Sequence, residues 1–312
     1  MNVRSKFLGG FIGCALGDAI GEIAFFCSDK EELLARVNSR SVVSYTDDTA
    51  MAIGLAEAIV ENGGSIKPNQ LGKIFHRNYN KEPRRGYGRG PPTIFKTVEQ
   101  TGKSYTEVAK SLFNGSGSYG NGASMRITPL ALFYYDTPDI YEKVKLSAIP
   151  THTNPLGIDG AALLAKAISL VVKRDPTSSS IQDDRDEIID TLIAFAKTDE
   201  YENRLKTAKN LFGQEKDLGY CARTLGSNVL SFKSVPFTIY SFLNEPDSFK
   251  DCLINTALVS EDRDTVGAMV CGLLGAYLGV DAIPEEWIQK LENLEYIKEL
   301  AGKLYNLKTQ SA

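Results

Sequence analysis

Two segments of the chain place aspartates and threonines directly ahead of an apolar run. They read YTDDTAM at residues 45–51 and EDRDTVG at residues 261–267. Helix capping accounts for one or two such side chains, because Thr and Asp accept hydrogen bonds from free N–H groups at a helix start. A divalent metal site is the alternative, because hard cations such as Mg²⁺ prefer oxygen ligands. If the two helix starts meet in space, the carboxylates of Asp47, Asp48, Asp262 and Asp264 need counter-ions, which two divalent ions would supply.

Two glycine-rich segments offer a second kind of chemistry. They read GSGSYGNG at residues 115–122 and RGYGRGPP at residues 85–92. Glycine lets backbone N–H groups face an anion without interference from a Cβ, and a helix start favours negative charge. Neither segment has the lysine of a P-loop, so a Walker-type nucleotide site is not indicated. Simple turns are the alternative, and each segment is predicted to precede a helix, the first of them starting at Ala123.

Three further features are interpreted first as structural. His152 precedes an apolar run at residues 157–172, where a polar tether at a helix start competes with a catalytic role. Glu22 follows the sequence GDAIG and has no role on composition alone. Small residues recur every four positions at Gly267, Cys271 and Gly275, which predicts the close approach of a second helix within the core.

Composition excludes several classes of protein. The 312 residues carry 35 Lys and Arg against 39 Asp and Glu, a net charge of −4, which argues against general nucleic-acid binding. The apolar run at residues 266–280 falls short of the roughly 20 residues that span a bilayer, so no membrane segment is expected. The N-terminal apolar run is short and glycine-rich for a signal peptide. Five scattered cysteines with no C-x-x-C pair indicate a reducing compartment, and a cytoplasmic protein is expected.

Helical periodicity dominates the chain and must supply the elements that position these residues. Apolar stripes at helical spacing follow Asp48 and recur in five later regions, at residues 125–133, 161–172, 188–195, 205–212 and 287–300. The best strand candidate, residues 42–45, is too short to found a sheet. Residues 173–185 are predicted to be a loop between two helices, and no linker divides the chain. We therefore expect an all-α protein with a single compact domain over residues 1–312.

The combination of these motifs resembles the ADP-ribosylglycohydrolase family, also called the DraG or ARH family. The similarity runs through six segments in the family's order: ALGDAIG at 15–21, YTDDTAM at 45–51, RGYG at 85–88, FNGSGSYGNG at 113–122 with MR at 125–126, TH at 151–152 with GIDGA at 157–161, and DRDT at 262–265. The third and fourth segments are similar to the ARH-three-like branch, which acts on ADP-ribosyl-serine and poly-ADP-ribose. The segment SVP at 234–236 is also similar to that branch.

The resemblance implies an orthogonal all-α fold with a centre of two magnesium ions. The implied metal ligands are Thr46, Asp47, Asp48, Asp262, Asp264 and Thr265. The implied contacts to ADP-ribose are Gly88, Phe113, Gly117, Ser118, Tyr119, Gly120, Asn121, His152 and Val229. Asp18 is expected to orient ligands without touching the substrate. A monomeric hydrolase follows, which cleaves the glycosidic bond between ADP-ribose and a serine-like protein side chain, poly-ADP-ribose or an O-acyl group.

The chain departs from the family pattern at two places. Counting from Asp18 puts Phe25 where the family has its acid/base glutamate, and Glu22, four residues after Asp18, is the residue expected to take that role. Arg263 stands between two expected metal ligands, where it could pair with a substrate phosphate, pair with Glu261 or displace a cation, and the sequence leaves these alternatives open. The first departure keeps open a non-catalytic ADP-ribose-binding or crystallin-like protein on the same fold. A metal-dependent hydrolase of another phosphorylated nucleotide is a further alternative.

Overall fold

The structure, a computed structural model, describes residues 2–178 and 180–310, and these contain 17 α-helices. The helices are α1 (Val3–Ala24), α2 (Lys30–Ser39), α3 (Asp47–Glu61), α4 (Pro68–Lys81), α5 (Gly90–Thr101), α6 (Tyr105–Ser111), α7 (Thr128–Phe133), α8 (Ile140–Ala148), α9 (Pro155–Val172), α10 (Arg185–Phe195), α11 (Asp199–Leu211), α12 (Leu218–Leu225), α13 (Ser231–Asn244), α14 (Phe249–Val259), α15 (Arg263–Leu278), α16 (Glu285–Ile288) and α17 (Leu294–Gln310). Short 3₁₀ helices span Asn121–Ala123 and Val280–Ala282. The all-α prediction is confirmed.

The centre of the fold is the pairing of α1 with α15. Their backbones touch at glycines: a Cβ on Gly275 would lie 1.9 Å from the carbonyl oxygen of Gly9, and one on Gly17 would lie 2.1 Å from that of Gly267. The small-residue stripe of α15 therefore serves helix packing, as predicted. Helix α9 lies beside this pair and is itself largely buried. This close packing holds the start of α15 against the last turns of α1.

Helices α1 and α9 are long and apolar enough to cross a membrane, by length and composition alone. In this structure the most apolar 18-residue windows of α1 and α9 are 89% and 78% buried by the rest of the chain. Such burial is the property of a core helix, since the apolar side chains are already covered by protein.

Most predicted elements match the structure, and one boundary was wrong. Residues 173–178 and 180–184 lie between α9 and α10, where a loop over residues 173–185 is predicted, and Arg185 is already the first residue of α10. Within the described ranges no β-strand occurs, and Val43 makes only an isolated bridge to Leu291. No α-helix starts at Ala123: a single 3₁₀ turn ends there, and α7 begins at Thr128, one residue before Pro129. Proline favours the first turn of a helix because its fixed φ suits that position and the missing N–H is not needed there. The single domain stays a prediction.

Candidate active site

The two acidic segments meet at the N-termini of α3 and α15. The hydroxyl of Thr265 donates a hydrogen bond of 3.3 Å to Oδ1 of Asp48, although the two residues are 217 positions apart in the chain. Helix α1 contacts both helix starts, since its Gly21 packs against α15 and its Asp18 accepts hydrogen bonds from the start of α3. The structure thus brings together the two acidic segments, as a single metal site would require.

A buried aspartate of α1 carries the start of α3. Asp18 is fully buried, and its carboxylate accepts hydrogen bonds from the N–H groups of Thr46 and Thr49, both at 3.0 Å, and from the hydroxyl of Thr49 at 2.6 Å. Asp18 does not line the cavity described below. Its position matches the orienting role expected from the sequence.

Few of the side-chain oxygens in these two segments accept a capping hydrogen bond from a helix N-terminus. Thr46 is the N-cap of α3 and accepts a long hydrogen bond from the N–H of Asp48. Asp262 occupies the N-cap position of α15 but makes no side-chain cap bond. Asp264 accepts the N–H of Thr265 at 2.8 Å. The capping interpretation therefore accounts for Thr46 and in part for Asp264, and it leaves the carboxylates of Asp47, Asp48 and Asp262 without a structural task at the helix ends.

The electrostatics of this acidic cluster are unfavourable without a counter-ion. Burial, together with the neighbouring carboxylates, raises the pKa of Asp47, of Asp48 and of Asp262 above the ordinary range of aspartate. Oδ2 of Asp48 is buried and has no hydrogen-bond partner among the described residues. A buried anion in this state is costly, and a bound cation would remove the cost.

The donor set suits a hard cation that keeps part of its hydration shell. Among residues 2–178 and 180–310, no three His, Cys, Asp or Glu side chains enclose a metal position by themselves. Carboxylates, the threonine hydroxyls and added waters together would complete the shell, as is common for Mg²⁺, which gives up its waters reluctantly. The residues at this site therefore fit magnesium, and the buried unpartnered oxygen of Asp48 is the observation on which that fit rests.

The glycine-rich loop at residues 115–122 is joined directly to the acidic cluster. The side-chain amide of Asn121 donates to Oδ2 of Asp262 at 2.6 Å and to the hydroxyl of Ser234 at 3.2 Å. The backbone N–H of Asn121 donates to the carbonyl of Val229 at 2.9 Å. The N–H groups of Ser118 and Tyr119 donate to no acceptor within the described part of the chain, so they are free for a ligand.

Gly117 allows this loop to pack closely against the segment at Thr153 and Asn154. Its φ is +69°, and a Cβ would lie 2.2 Å from Oγ1 of Thr153 and 2.9 Å from the backbone nitrogen of Asn154. Phe113 and Asn114 also have positive φ values, of 53° and 57°, which non-glycine residues rarely adopt. Such strain persists only where surrounding structure enforces it, and it is concentrated at functional sites.

The second glycine-rich segment, residues 85–92, closes the opposite wall. Arg85 forms a paired salt bridge to both carboxylate oxygens of Glu292 at 2.8 Å and donates to the carbonyl of Tyr45 at 3.0 Å. A Cβ on Gly86 would lie 3.8 Å from Oδ1 of Asp47, so the loop passes beside the acidic cluster. Nothing lies within 4 Å of a Cβ on Gly88, which faces open space in the cavity.

These walls enclose a cavity of about 480 Å³. The predicted site residues that line it are Asp47, Asp48, Gly88, Phe113, Ser118, Tyr119, Gly120, Asn121, His152, Val229, Asp262, Asp264 and Thr265. Three predicted residues do not line it: Thr46 caps α3, Gly117 lies under the loop, and Glu22 lies on the last turn of α1. The rim carries the exposed side chains of Phe113 and Val229, which are 55% and 60% exposed. The cavity is thus acidic at one end and apolar at the other.

Glu22 lies beside the acidic end. It is partly buried, and its pKa is raised above the ordinary value by burial and by the charge of Asp264. The backbone of α1 at Gly21 touches α15, since a Cβ on Gly21 would lie 2.6 Å from the Cα of Asp264. Phe25, which stands at the family's glutamate position, is 44% exposed and follows the end of α1.

The side chain of Arg263 is held by backbone carbonyls. Its Nη1 donates to the carbonyls of Ala24 and Cys27, at 3.0 Å for the latter, and its Nε donates to the carbonyl of Ser260 at 3.3 Å. The side chain therefore ties down the turn that follows α1, and Arg263 does not line the cavity. Within the described residues it forms no ion pair with Glu261, because its donors are engaged by backbone carbonyls. Pairing with a substrate phosphate and displacement of a cation stay open alternatives from the sequence.

Two further residues of the cavity are not among the predicted site residues. Arg126 and Thr151 both line it and both are buried, with 1% and 2% of their surface exposed. The available signal was an arginine in an otherwise apolar stretch, residues 123–133. Arginine is almost never fully buried unless it is paired, so an arginine in an apolar stretch indicates a specific structural or functional role.

Comparison with known proteins agrees with this geometry. The family model described as ADP-ribosylglycohydrolase matches residues 1–312. The ADP-ribosylhydrolase ARH3 of Homo sapiens is 31% identical over 97% of this chain and 93% of its own length, and that of Bos taurus is 30% identical over the same shares. A solved structure described as an ADP-ribosylglycohydrolase-related protein complex matches 98% of this chain and 99% of its own chain, with a TM-score of 0.65 and 22% identity, which supports the fold.

The full-length family match and the relatives at about 30% identity agree with the six motifs and with the all-α fold. The relatives are covered over nearly their whole length, so the similarity is not confined to one segment. This chain therefore belongs to the ADP-ribosylglycohydrolase family, is similar to its ARH3 branch, and is a glycosyl hydrolase.

Proposed function

We propose that this enzyme is a magnesium-dependent hydrolase that cleaves the glycosidic bond between ADP-ribose and an acceptor. The acceptors are a protein side chain, preferably serine-like, poly-ADP-ribose and an O-acyl group. The observation that carries the proposal is the hydrogen bond from Thr265 to Asp48, because it joins the two acidic segments at one end of a cavity that a glycine-rich loop continues. A substrate with a diphosphate between two riboses would need both the acidic end of the cavity and the glycine-rich loop.

The metal site would use Thr46, Asp47 and Asp48 from α3 and Asp262, Asp264 and Thr265 from α15. Two Mg²⁺ ions bound there would act as Lewis acids that orient the ribose hydroxyls and the attacking water. The contribution of the chain is to present oxygens at fixed positions. Asp18 holds the start of α3 through three donors, and Asn121 holds Asp262 through one amide.

The remaining cavity suits the other parts of ADP-ribose. The free N–H groups of Ser118 and Tyr119 would donate to phosphate oxygens, since glycine-rich loops with unpaired amides bind anions. Gly88 leaves room for the sugar to approach the backbone, and Gly120 lines the same cavity. The exposed apolar rim at Phe113 and Val229 would border the adenine.

The bond that breaks joins the anomeric carbon of the ribose to the acceptor oxygen, and the oxygen of water forms the new bond. Charge of oxocarbenium type develops at the anomeric carbon as the acceptor leaves. Glu22 would act as the general acid or base, taking the proton of the water or giving one to the leaving oxygen. Its raised pKa suits proton transfer nearer neutral pH than that of an ordinary glutamate.

The test is calorimetric titration of ADP-ribose into the protein in Mg²⁺ and again in EDTA, paired with hydrolysis of an ADP-ribosyl-serine peptide. Binding that requires Mg²⁺ and release of ADP-ribose would support the proposal. Glu22→Gln should abolish release while ADP-ribose still binds, whereas Asp264→Ala should lose both metal-dependent binding and release. Full activity of Asp264→Ala would contradict the metal assignment, and binding without turnover in the wild type would favour the non-catalytic alternative.

A monomeric state and a cytoplasmic location remain predictions from the sequence. All five cysteines are free and buried, which suits a reducing compartment without demanding one. Gel filtration with light scattering would test the first prediction.

A further inference from the structure

The floor of the cavity contains a fully buried arginine with a fixed direction of hydrogen bonding. Nη2 of Arg126 donates to Oγ1 of Thr151 at 2.8 Å and to the carbonyl of Ser147 at 3.1 Å, and the guanidinium stacks on Phe75 at 4.6 Å. A guanidinium has donors only, so Oγ1 of Thr151 must accept the hydrogen bond from Arg126. The single proton of that hydroxyl is then left for another acceptor.

Two acceptors lie within reach of the Thr151 hydroxyl proton. Nδ1 of His152 is 2.8 Å from Oγ1, and the carbonyl oxygen of Ala148 is 3.3 Å from it. The Ala148 carbonyl already accepts the backbone N–H groups of Thr151 and His152, at 3.0 and 2.8 Å, which occupies both of its lone pairs. The shorter contact and the free lone pair both favour Nδ1 of His152.

We infer that Arg126 and Thr151 lock His152 in the tautomer that carries its proton on Nε2, so that His152 presents a fixed, uncharged N–H donor to the cavity. Nε2 faces the glycine-rich loop, where a Cβ on Gly122 would lie 3.1 Å from it and one on Gly120 would lie 3.9 Å away. Both positions are glycine, which leaves this nitrogen accessible to a ligand.

The surroundings also keep the imidazole uncharged. Burial and the nearby Arg126 charge lower the pKa of His152 to about 3. An uncharged N–H donor selects ligands by geometry, because its hydrogen bond is strong only with an oxygen that lies on the N–H axis. A charged imidazolium would attract any nearby anion. Resting on the proposed function, the acceptor is a phosphate or ribose oxygen of ADP-ribose, and Arg126 and Thr151 are positioning residues that act through His152.

The test uses protein labelled with ¹⁵N-histidine, which gives only two imidazoles to assign, since the chain has two histidines. His76→Asn assigns the signals. Two-bond proton–nitrogen correlation should show the Nε2–H tautomer for His152 in the wild type at neutral pH. An Nδ1–H tautomer or an imidazolium in the wild type would overturn the inference without any variant at Arg126 or Thr151.

Matched variants test the relay itself. Thr151→Val removes the hydroxyl at nearly constant volume and should release the tautomer preference and weaken ADP-ribose binding about tenfold, the usual effect of losing one oriented hydrogen bond. Thr151→Ser keeps the hydroxyl and should restore both. An unchanged tautomer in Thr151→Val would contradict the relay.

The prediction about the tautomer and the prediction about the ligand can be contradicted independently. A correct tautomer in a protein that does not bind ADP-ribose would overturn the ligand and the proposed function while supporting the relay. Binding of ADP-ribose by a protein with the Nδ1–H tautomer would overturn the relay while supporting the ligand and the proposed function.

Discussion

The side-chain amide of Asn121 lies 2.6 Å from a carboxylate oxygen of Asp262 and donates a hydrogen bond to it. One residue therefore belongs both to the loop that is proposed to bind the diphosphate and to the support of the proposed metal site. Because the amide is engaged with Asp262, Asn121 has only its side-chain oxygen left for a ligand. The two halves of the site are coupled through this contact.

Asn121→Ala should weaken Mg²⁺ binding and lower kcat/KM together. A hydrogen bond to a charged group contributes about 1.5–3 kcal/mol, which corresponds to roughly 10- to 100-fold. Calorimetric titration of Mg²⁺ and steady-state kinetics measure the two effects. Ser234→Ala removes the second, neutral contact of the same amide, together with a hydrogen bond from the Ser234 hydroxyl to the carbonyl of Leu230, and should have the smaller effect on Mg²⁺ binding. Equal losses in the two variants would show that Asp262 is not oriented in this way.

Asp48→Asn should stabilise the metal-free protein while abolishing activity. Burial and the neighbouring carboxylates raise the pKa of Asp48, which costs stability at neutral pH without a cation. Asparagine does not ionise and avoids this cost, so the melting temperature in EDTA should rise by about 2–4 °C. Mg²⁺ should raise the melting temperature of the wild type and leave that of the variant unchanged. Asp190→Asn on the exposed surface is the control and should change little. A variant that melts lower than the wild type in EDTA would argue against an uncompensated charge.

Gly88→Ala should leave stability unchanged and reduce ADP-ribose affinity by about tenfold or more, since the added methyl group meets no protein atom and occupies ligand space. Thermal melting and calorimetry separate the two quantities. Gly302→Ala on α17 is the matched control, because its Cβ also meets nothing and lies away from the cavity. Unaltered affinity in Gly88→Ala would place the sugar elsewhere.

The folded state should lose stability on acidification through His152. The ordinary pKa near 6.5 falls to about 3 on folding, so below pH 6.5 the unfolded chain binds a proton that the folded chain does not. Stability therefore rises with pH across this window, and the group contributes about 2 kcal/mol between roughly pH 5 and pH 7. Urea unfolding of the wild type and of His152→Gln at both pH values measures it. The variant should show the shallower dependence, and parallel curves would refute the shift.

Arg263→Met should loosen the turn at residues 25–29 and lower kcat more than it weakens ADP-ribose binding. The turn loses the hydrogen bonds to the carbonyls of Ala24 and Cys27, and Glu22 lies in the helical turn just before it. Hydrogen exchange at residues 25–29 should become faster. Arg223→Met on the exposed side of α12 is the control. Unchanged exchange in Arg263→Met would mean that the turn is held by other contacts.

Several features could be predicted because they depend on local chemistry. The recurrence of apolar residues at helical spacing predicted helices, which the structure confirms. The oxygen-rich segments ahead of α3 and α15 predicted a cation site as the alternative to helix capping, and that site stays a prediction. The start of α7 was misplaced by five residues because a 3₁₀ turn and a proline, not the last glycine of the loop, set the boundary. Glu22 remains a predicted catalytic residue that the structure puts beside the cavity and not on its wall.

The sequence by itself determined which side chains are available and which helices carry them, since periodicity, glycine content and carboxylate spacing are properties of neighbouring residues. Tertiary structure alone decided that Thr265 reaches Asp48, that Arg263 turns toward Ala24 and that Arg126 directs Thr151 toward His152. These contacts join residues far apart in the chain or depend on the side from which a side chain leaves its helix. The first two depend on the backbone contact of α1 with α15, which holds the start of α15 beside the end of α1. The third depends on the placement of the segment before α7 against the segment between α8 and α9.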